Sequence, residues 1–243
     1  MAVIAVYSLK GGVGKTTLTV NLAWCAATFS ARRTLLWDLD PQAASTWLLD
    51  GAKRERDAAH AVFTRDIDAT KLIRPTAFDR LDVLGADASL RGLDILFHEL
   101  DKKKRLAKLV NGLDKAYDRL LLDCPPGLTE TSEQVMRAAD LIVVPVIPSP
   151  LSVRAFDEVV SHLDQKGAKV PLLPVHAMVD RRRKLHQAAI EARPDWPVIP
   201  AASIIETMTE RRAPVGAFAS RSPAALAFRD LWQVIEQRLA GKR

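Results

Sequence analysis

The chain has 243 residues, 48% of them hydrophobic, and 35 Lys/Arg against 29 Asp/Glu give a formal net charge of +6. That length and apolar content suit one large α/β domain over residues 1–243, while Cys25 and Cys124, far apart and without C-x-x-C spacing or clustered histidines, argue against a disulfide framework, a zinc site or an iron–sulfur cluster. The longest later apolar run, around residues 141–147, is too short to cross a bilayer and no N-terminal stretch reads as a signal peptide, so a cytoplasmic location is expected.

The first predicted element is an apolar strand through Val3 to Tyr7, which breaks into Ser8-Leu9-Lys10-Gly11-Gly12-Val13-Gly14-Lys15-Thr16-Thr17 and then into a helical segment, Leu18 to Phe29. Strand, glycine loop and helix start in that order make a phosphate cradle. Three glycines in four positions let several N–H groups converge on an anion, and the helix adds the positive end of its dipole. Gly11, Gly12, Val13, Gly14, Lys15, Thr16 and Thr17 are therefore the expected nucleotide-binding residues, with Lys15 on the β and γ phosphates and the Thr16 hydroxyl on Mg2+. Asn21, the polar intruder in the helix, caps, packs or touches the nucleotide region.

The loop departs from G-x-x-x-x-G-K-[ST] by carrying Leu9 where glycine is required and Lys10 just after it. In this it resembles the deviant phosphate-loop motif K-G-G-x-G-K-[ST]-T of the ParA/MinD family of P-loop ATPases. The resemblance implies ATP and Mg2+ as cofactors. It also implies a homodimer formed with ATP, in which Lys10 acts catalytically on the nucleotide held by the other subunit.

Arg33 to Gln42 reads as a buried parallel strand ending in Asp38 and Asp40, and ligands gather at the carboxyl ends of such strands. Being two apart, the acids leave the strand on one side. D-x-D-P-Q resembles the family's switch I, which implies Asp40 as the residue that activates the attacking water and Asp38 as support for the metal and its waters. The plain alternative is a pair of strand-end acids capping the next helix.

Gly51 to Arg80 is polar and irregular, with no predicted element. Arg80 to Ala86 is a short strand, Leu90 to Leu100 has helical spacing, and Lys102-Lys103-Lys104-Arg105 opens a helix to Leu113 and reads as a solvated face. Tyr117 to Gly127 is an apolar strand that delivers Asp123 at its tip, the arrangement in which a carboxylate holds a magnesium shell through water. Its D-x-P-P-G tail resembles the family's switch II.

Asp140 to Pro150 is a further buried strand, Leu151 to Gln165 an amphipathic helix, and Val170 to Val179 another strand. The alternation predicts an α/β fold, a doubly wound and mostly parallel sheet with helices on both faces. The resemblance places the adenine near the end of the last strand and near Ile199.

Asp180-Arg181-Arg182-Arg183-Lys184-Leu185 is expected to begin the next helix, and four cations there oppose its dipole. The stretch resembles the family's D-x-R-x-x-L segment, which implies non-specific DNA contacts by Arg181, Arg182, Arg183 and Lys184. From His176 onward there are 12 Lys/Arg against 7 Asp/Glu, so most of the positive excess lies in this last third. The Pro-Arg-Asn of many family members is replaced by Pro200-Ala201-Ala202, leaving Arg211, Arg212 and Arg221 as nearby cations.

Pro223 to Leu239 closes the chain with Phe228, Leu231, Trp232, Ile235 and Leu239 at helical spacing. This is expected to be a packed closing helix, with a membrane-targeting helix as the alternative. Together the motifs imply an ATPase that dimerises with ATP, binds DNA non-specifically and associates with the nucleoid in that state. A ParB-like or adaptor protein would stimulate its hydrolysis to move DNA or protein cargo. A membrane-surface positioning ATPase and a nucleotide-gated scaffold with little turnover are the alternatives.

Overall fold

The computed structural model describes residues 1–50, 58–64, 66–99 and 104–241. The strands are β1 (Ala2–Val6), β2 (Thr34–Asp38), β3 (Ile73–Pro75), β4 (Leu81–Leu84), β5 (Arg119–Asp123), β6 (Leu141–Val146), β7 (Leu172–Val179) and β8 (Val198–Pro200), in the order β3-β4-β2-β5-β1-β6-β7-β8. Every pairing is parallel except β3 with β4 at one edge. The expected doubly wound sheet is present.

The helices are α1 (Lys15–Phe29), α2 (Ala44–Leu49), α3 (Ala58–Thr64), α4 (Leu93–Glu99), α5 (Arg105–Asn111), α6 (Glu130–Ala138), α7 (Pro150–Gln165), α8 (Lys184–Ala192), α9 (Ser203–Arg211), α10 (Val215–Phe218) and α11 (Pro223–Ala240). Strand residues alternate between two cores. Val3, Ala5, Leu35, Trp37, Leu120 and Leu122 pack on one face of the sheet, and Ile4, Val6, Leu36 and Leu121 on the other. A sheet buried on both faces needs apolar residues at both parities, which is why its central strands read as continuous apolar runs.

On the second face lie α1 and α11, and the stripe Phe228, Leu231, Trp232, Ile235 and Leu239 is buried there. The closing helix thus spends its apolar side on the core, as expected. Among the described residues no helix is long and apolar enough to cross a membrane. Asn21 is a structural tie: its Nδ2 donates to the Thr17 carbonyl at 2.8 Å and its Oδ1 accepts from the Val215 amide at 2.8 Å, fastening α1 to α10.

Three expectations need correction. The stretch read as irregular between Gly51 and Arg80 carries α3 and the antiparallel β3, residues 51–57 and 65 being outside the described set. Its helix and strand are too short to leave a clear period. The basic run is not wholly a solvated face: Lys102 and Lys103 lie outside the described residues, but Arg105 is buried and its Nε donates to the Phe63 carbonyl at 2.8 Å. Finally, Arg181, Arg182 and Arg183 precede α8 in a turn, and of the four cations Lys184 alone is helical. Arg183 is the N-cap, so the opposition to the dipole remains, and the Asp180 carboxylate paired with Arg182 offsets part of it.

Candidate nucleotide site

The loop between β1 and α1 runs through Gly12 and Gly14, whose φ angles of +72° and +88° lie in the left-handed region that costs glycine least. This geometry turns the chain sharply enough for α1 to start at Lys15, whose side chain is therefore drawn inward. Lys15 is 7% exposed, and its Nζ donates to the Lys10 carbonyl at 3.1 Å. Burial lowers its pKa from the ordinary lysine value, opposed by the charges of Asp123 and Asp40.

The loop forms one wall of an open cleft of ≈ 740 Å³, with Gly11, Gly12, Gly14, Lys15, Thr16 and Thr17 on it. Asp40, Pro41 and Gln42 line a second wall and Pro125 and Pro126 a third, so the segments read as switch I and switch II do converge on the phosphate loop. The Asp40 carboxylate is half-buried, and its Oδ1 accepts from the Gln42 amide at 2.9 Å. Lys10 is not among the lining residues, whereas Arg91, on the short turn before α4, is.

A smaller, mostly apolar pocket adjoins the cleft and shares Gly14, Thr17 and Met178 with it. Val13, Ile199, Pro200, Ala202 and Ile205 form its sides, and Glu206 lies at its margin. Met178 holds a φ of +55°, uncommon for a residue with a side chain, at the irregularity where β7 pairs with β8.

Behind the cleft, Asp38 and Asp123 end adjacent parallel strands and are both fully buried. Asp38 accepts from the Asp40 amide at 3.1 Å and from the Thr46 amide and hydroxyl at 3.0 and 2.8 Å. Part of its work is thus to fasten α2, the helix-holding role offered as the plain alternative. Asp123 accepts from the Ser45 hydroxyl and, at 3.3 Å, from Thr19, and the Thr16 hydroxyl is also directed at it. Desolvation raises both carboxyls, to about 7 for Asp38, where the Asp123 charge adds to it, and to about 6 for Asp123, where the Asp40 charge does.

Sequence reasoning missed Ser45, Thr46, Thr19 and Arg91. It also missed Tyr7, whose hydroxyl donates to the Gly127 carbonyl at 2.9 Å while the Gly127 amide donates to the Leu9 carbonyl at 3.2 Å. These two bonds stitch the segment after β5 to the phosphate loop. Burial pushes the Tyr7 phenol up to about 12.

The basic segment lies apart from these carboxylates. Arg182 donates from Nε and a terminal nitrogen to both oxygens of Asp180, at 2.9 and 3.0 Å. That pairing holds the Asp180 carboxyl below the usual range, at about 2. Arg181, Arg183 and Lys184 are exposed beside it.

A family model described as an AAA domain matches residues 1–169. The chain is 35% identical over 146 residues to the sporulation initiation inhibitor protein Soj of Bacillus subtilis, a match covering 59% of this chain and 57% of that protein. It is 30% identical over 196 residues to the chromosome partitioning protein ParA of Caulobacter vibrioides, covering 77% of this chain and 73% of that one. The chain thus spans less than two thirds of the first relative's length. Its backbone is similar to that of the septum site-determining protein MinD of Pyrococcus horikoshii, solved in complex with Mg-ADP. The TM-score is 0.80 at 22% identity, over 100% of this chain and 98% of that chain, a likeness of fold.

Proposed function

The chain belongs to the ParA/MinD family of P-loop ATPases, and from that premise we propose that it hydrolyses ATP as a Mg2+-dependent homodimer that binds DNA without sequence preference. The observation that carries the nucleotide reading is the continuity of the two cavities. A phosphate cradle with Lys15 opens directly into an apolar slot between Val13 and Pro200, sized and lined for a flat base. Adenine is the base proposed for that slot.

The residues fit a hard cation. Two buried carboxylates of raised pKa stand side by side with hydroxyl oxygens around them, and Lys15 is the ammonium close to Asp123. The Thr16 hydroxyl would hold Mg2+, with Asp123 and Asp38 acting through its waters because their own oxygens already accept from Ser45, Thr19 and Thr46. When bound, the metal supplies neutralisation of phosphate charge.

The chain's own groups do the rest. The loop amides and Lys15 grip the phosphates, and Asp40, fixed by the Gln42 amide at the cleft wall, orients the attacking water and takes its proton. Lys10 is not among the residues lining its own cleft, and its carbonyl accepts from Lys15. This supports an action of its ammonium on the nucleotide of a second copy. Leu128, two residues beyond the cleft-lining Pro126, and Leu151, in the first turn of α7, are 43% and 68% exposed, apolar side chains that a second copy could cover.

The positive excess of the last third supports phosphate-backbone contacts, and slow hydrolysis stimulated by a ParB-like or adaptor protein completes the reading. The deciding experiment combines phosphate release with light scattering in the presence of ATP and Mg2+. Wild type should turn over and double in mass, and Lys15→Ala should do neither. A Lys15→Ala protein that hydrolyses ATP normally would end the reading.

A further inference from the structure

Where α9 ends, two consecutive arginines each lie on an aromatic ring. The Arg211 guanidinium carbon is 5.3 Å from the centre of the Phe218 ring and that of Arg212 is 4.4 Å from the centre of the Trp47 ring. Both arginines are exposed, and among the described residues neither forms an ion pair, although Glu210 is next in the chain. A guanidinium stacked through its face keeps its edge N–H groups free and loses little further freedom when they bind an oxyanion.

Arg212 also occupies the left-handed C-cap of α9, with a φ of 48°, a position glycine fills at lower cost. Cations at the end of a helix favour its dipole, and here the two ring contacts also fix where the guanidinium groups stand. Arg182, by contrast, has both carboxylate oxygens of Asp180 on its guanidinium. Arg181, Arg183 and Lys184 are exposed as well, but among the described residues no ring contact holds them, so the preorganised pair of cations is at the end of α9.

Trp47 joins this pair to the nucleotide site. It follows Ser45, which holds Asp123, and Thr46, which holds Asp38, so three consecutive residues of α2 run from the buried carboxylates to Arg212. We propose that Arg211 and Arg212 are the backbone-phosphate contact for duplex DNA and that Trp47 positions the Arg212 guanidinium from the nucleotide side. This rests on the DNA-binding reading above and assigns its surface.

The test measures binding of the full chain, with ATP and Mg2+, to a short fluorescent duplex of arbitrary sequence across a salt series. Arg211→Gln/Arg212→Gln should weaken binding and make the slope of log affinity on log salt shallower by roughly 1.8, the share of two phosphates. Its unstimulated ATP turnover should match wild type at a temperature where both proteins are folded. Arg182→Gln should keep the wild-type slope. Trp47→Ala should weaken binding about two- to fivefold with the slope unchanged, and Trp47→Phe should restore it.

A double variant with the full wild-type slope would overturn the assignment while leaving DNA binding intact. Wild type that hydrolyses ATP but binds no duplex at any salt would overturn the DNA reading itself. If wild type instead bound phosphatidylserine vesicles and the double variant did not, the surface would serve a membrane and the nucleic-acid assignment would fall.

Discussion

Asp38 and Asp123 stand opposite each other in register at the ends of β2 and β5, two buried carboxylates on neighbouring strands. Such a pair costs free energy in the nucleotide-free protein, because burial and mutual repulsion both disfavour full ionisation. The native state therefore holds protons that the unfolded chain, with carboxyls near 4, gives up.

The sign follows from that difference. Between about pH 4 and the folded values of about 6 and 7, the folded protein binds more protons, so its stability falls as pH rises through this window. Melting in chelator should show wild type losing stability relative to Asp38→Asn as pH goes from about 5 to about 8. A difference between the two proteins that stays flat would refute the raised pair.

For Lys10, the proposed action on the nucleotide of a second copy predicts that Lys10→Ala binds ATP with near wild-type affinity but does not turn over. Mixing Lys10→Ala with Asp40→Ala should restore part of the activity, because a mixed dimer has one site with both groups intact. If Lys10 acted within its own subunit, no mixture would regain turnover.

Ser45 is predicted to be a positioning residue. Ser45→Ala removes a hydroxyl from the Asp123 carboxylate without touching the cleft wall. Activity or apparent Mg2+ affinity should drop about 10- to 100-fold, as when outer partners of metal-site carboxylates are lost, with nucleotide affinity in chelator unchanged. Ser45→Thr should recover much of it, and an unaltered Mg2+ titration for Ser45→Ala would exclude the role.

Asn21→Ala tests the fold rather than the site. It leaves the buried Val215 amide without its acceptor, which costs about 1–3 kcal/mol. Denaturant unfolding of the nucleotide-free protein should show that loss, and a change below about 0.5 kcal/mol would mean that the bond contributes little.

The core of this site was legible because its elements announce themselves locally. β1 is an apolar run that leads into the glycine loop, β2 and β5 are apolar runs ending in aspartate, and the loop and Asp40 line the cleft with Asp123 buried behind it. The partners of those acids were not legible. Ser45 reaches Asp123 across 78 positions, and Thr46 holds Asp38 while accepting from the Ala86 amide, contacts that no local period encodes. Arg91 stood in a helical pattern with nothing to mark it, and only the turn at Ala88–Gly92 brings it to the cleft. Arg105 and Arg182 show the same limit from the other side. A charge run gives the sign of a surface, but a buried carbonyl or a neighbouring aspartate decides where each guanidinium goes.

The bond from Tyr7 to Gly127 gives the protein a natural reporter. There are two tyrosines in the chain, and the other, Tyr117, is engaged with Asp82. Biosynthetic fluorotyrosine would yield a two-line fluorine spectrum, one line reading the segment after β5 against the phosphate loop and the other serving as an internal reference remote from it.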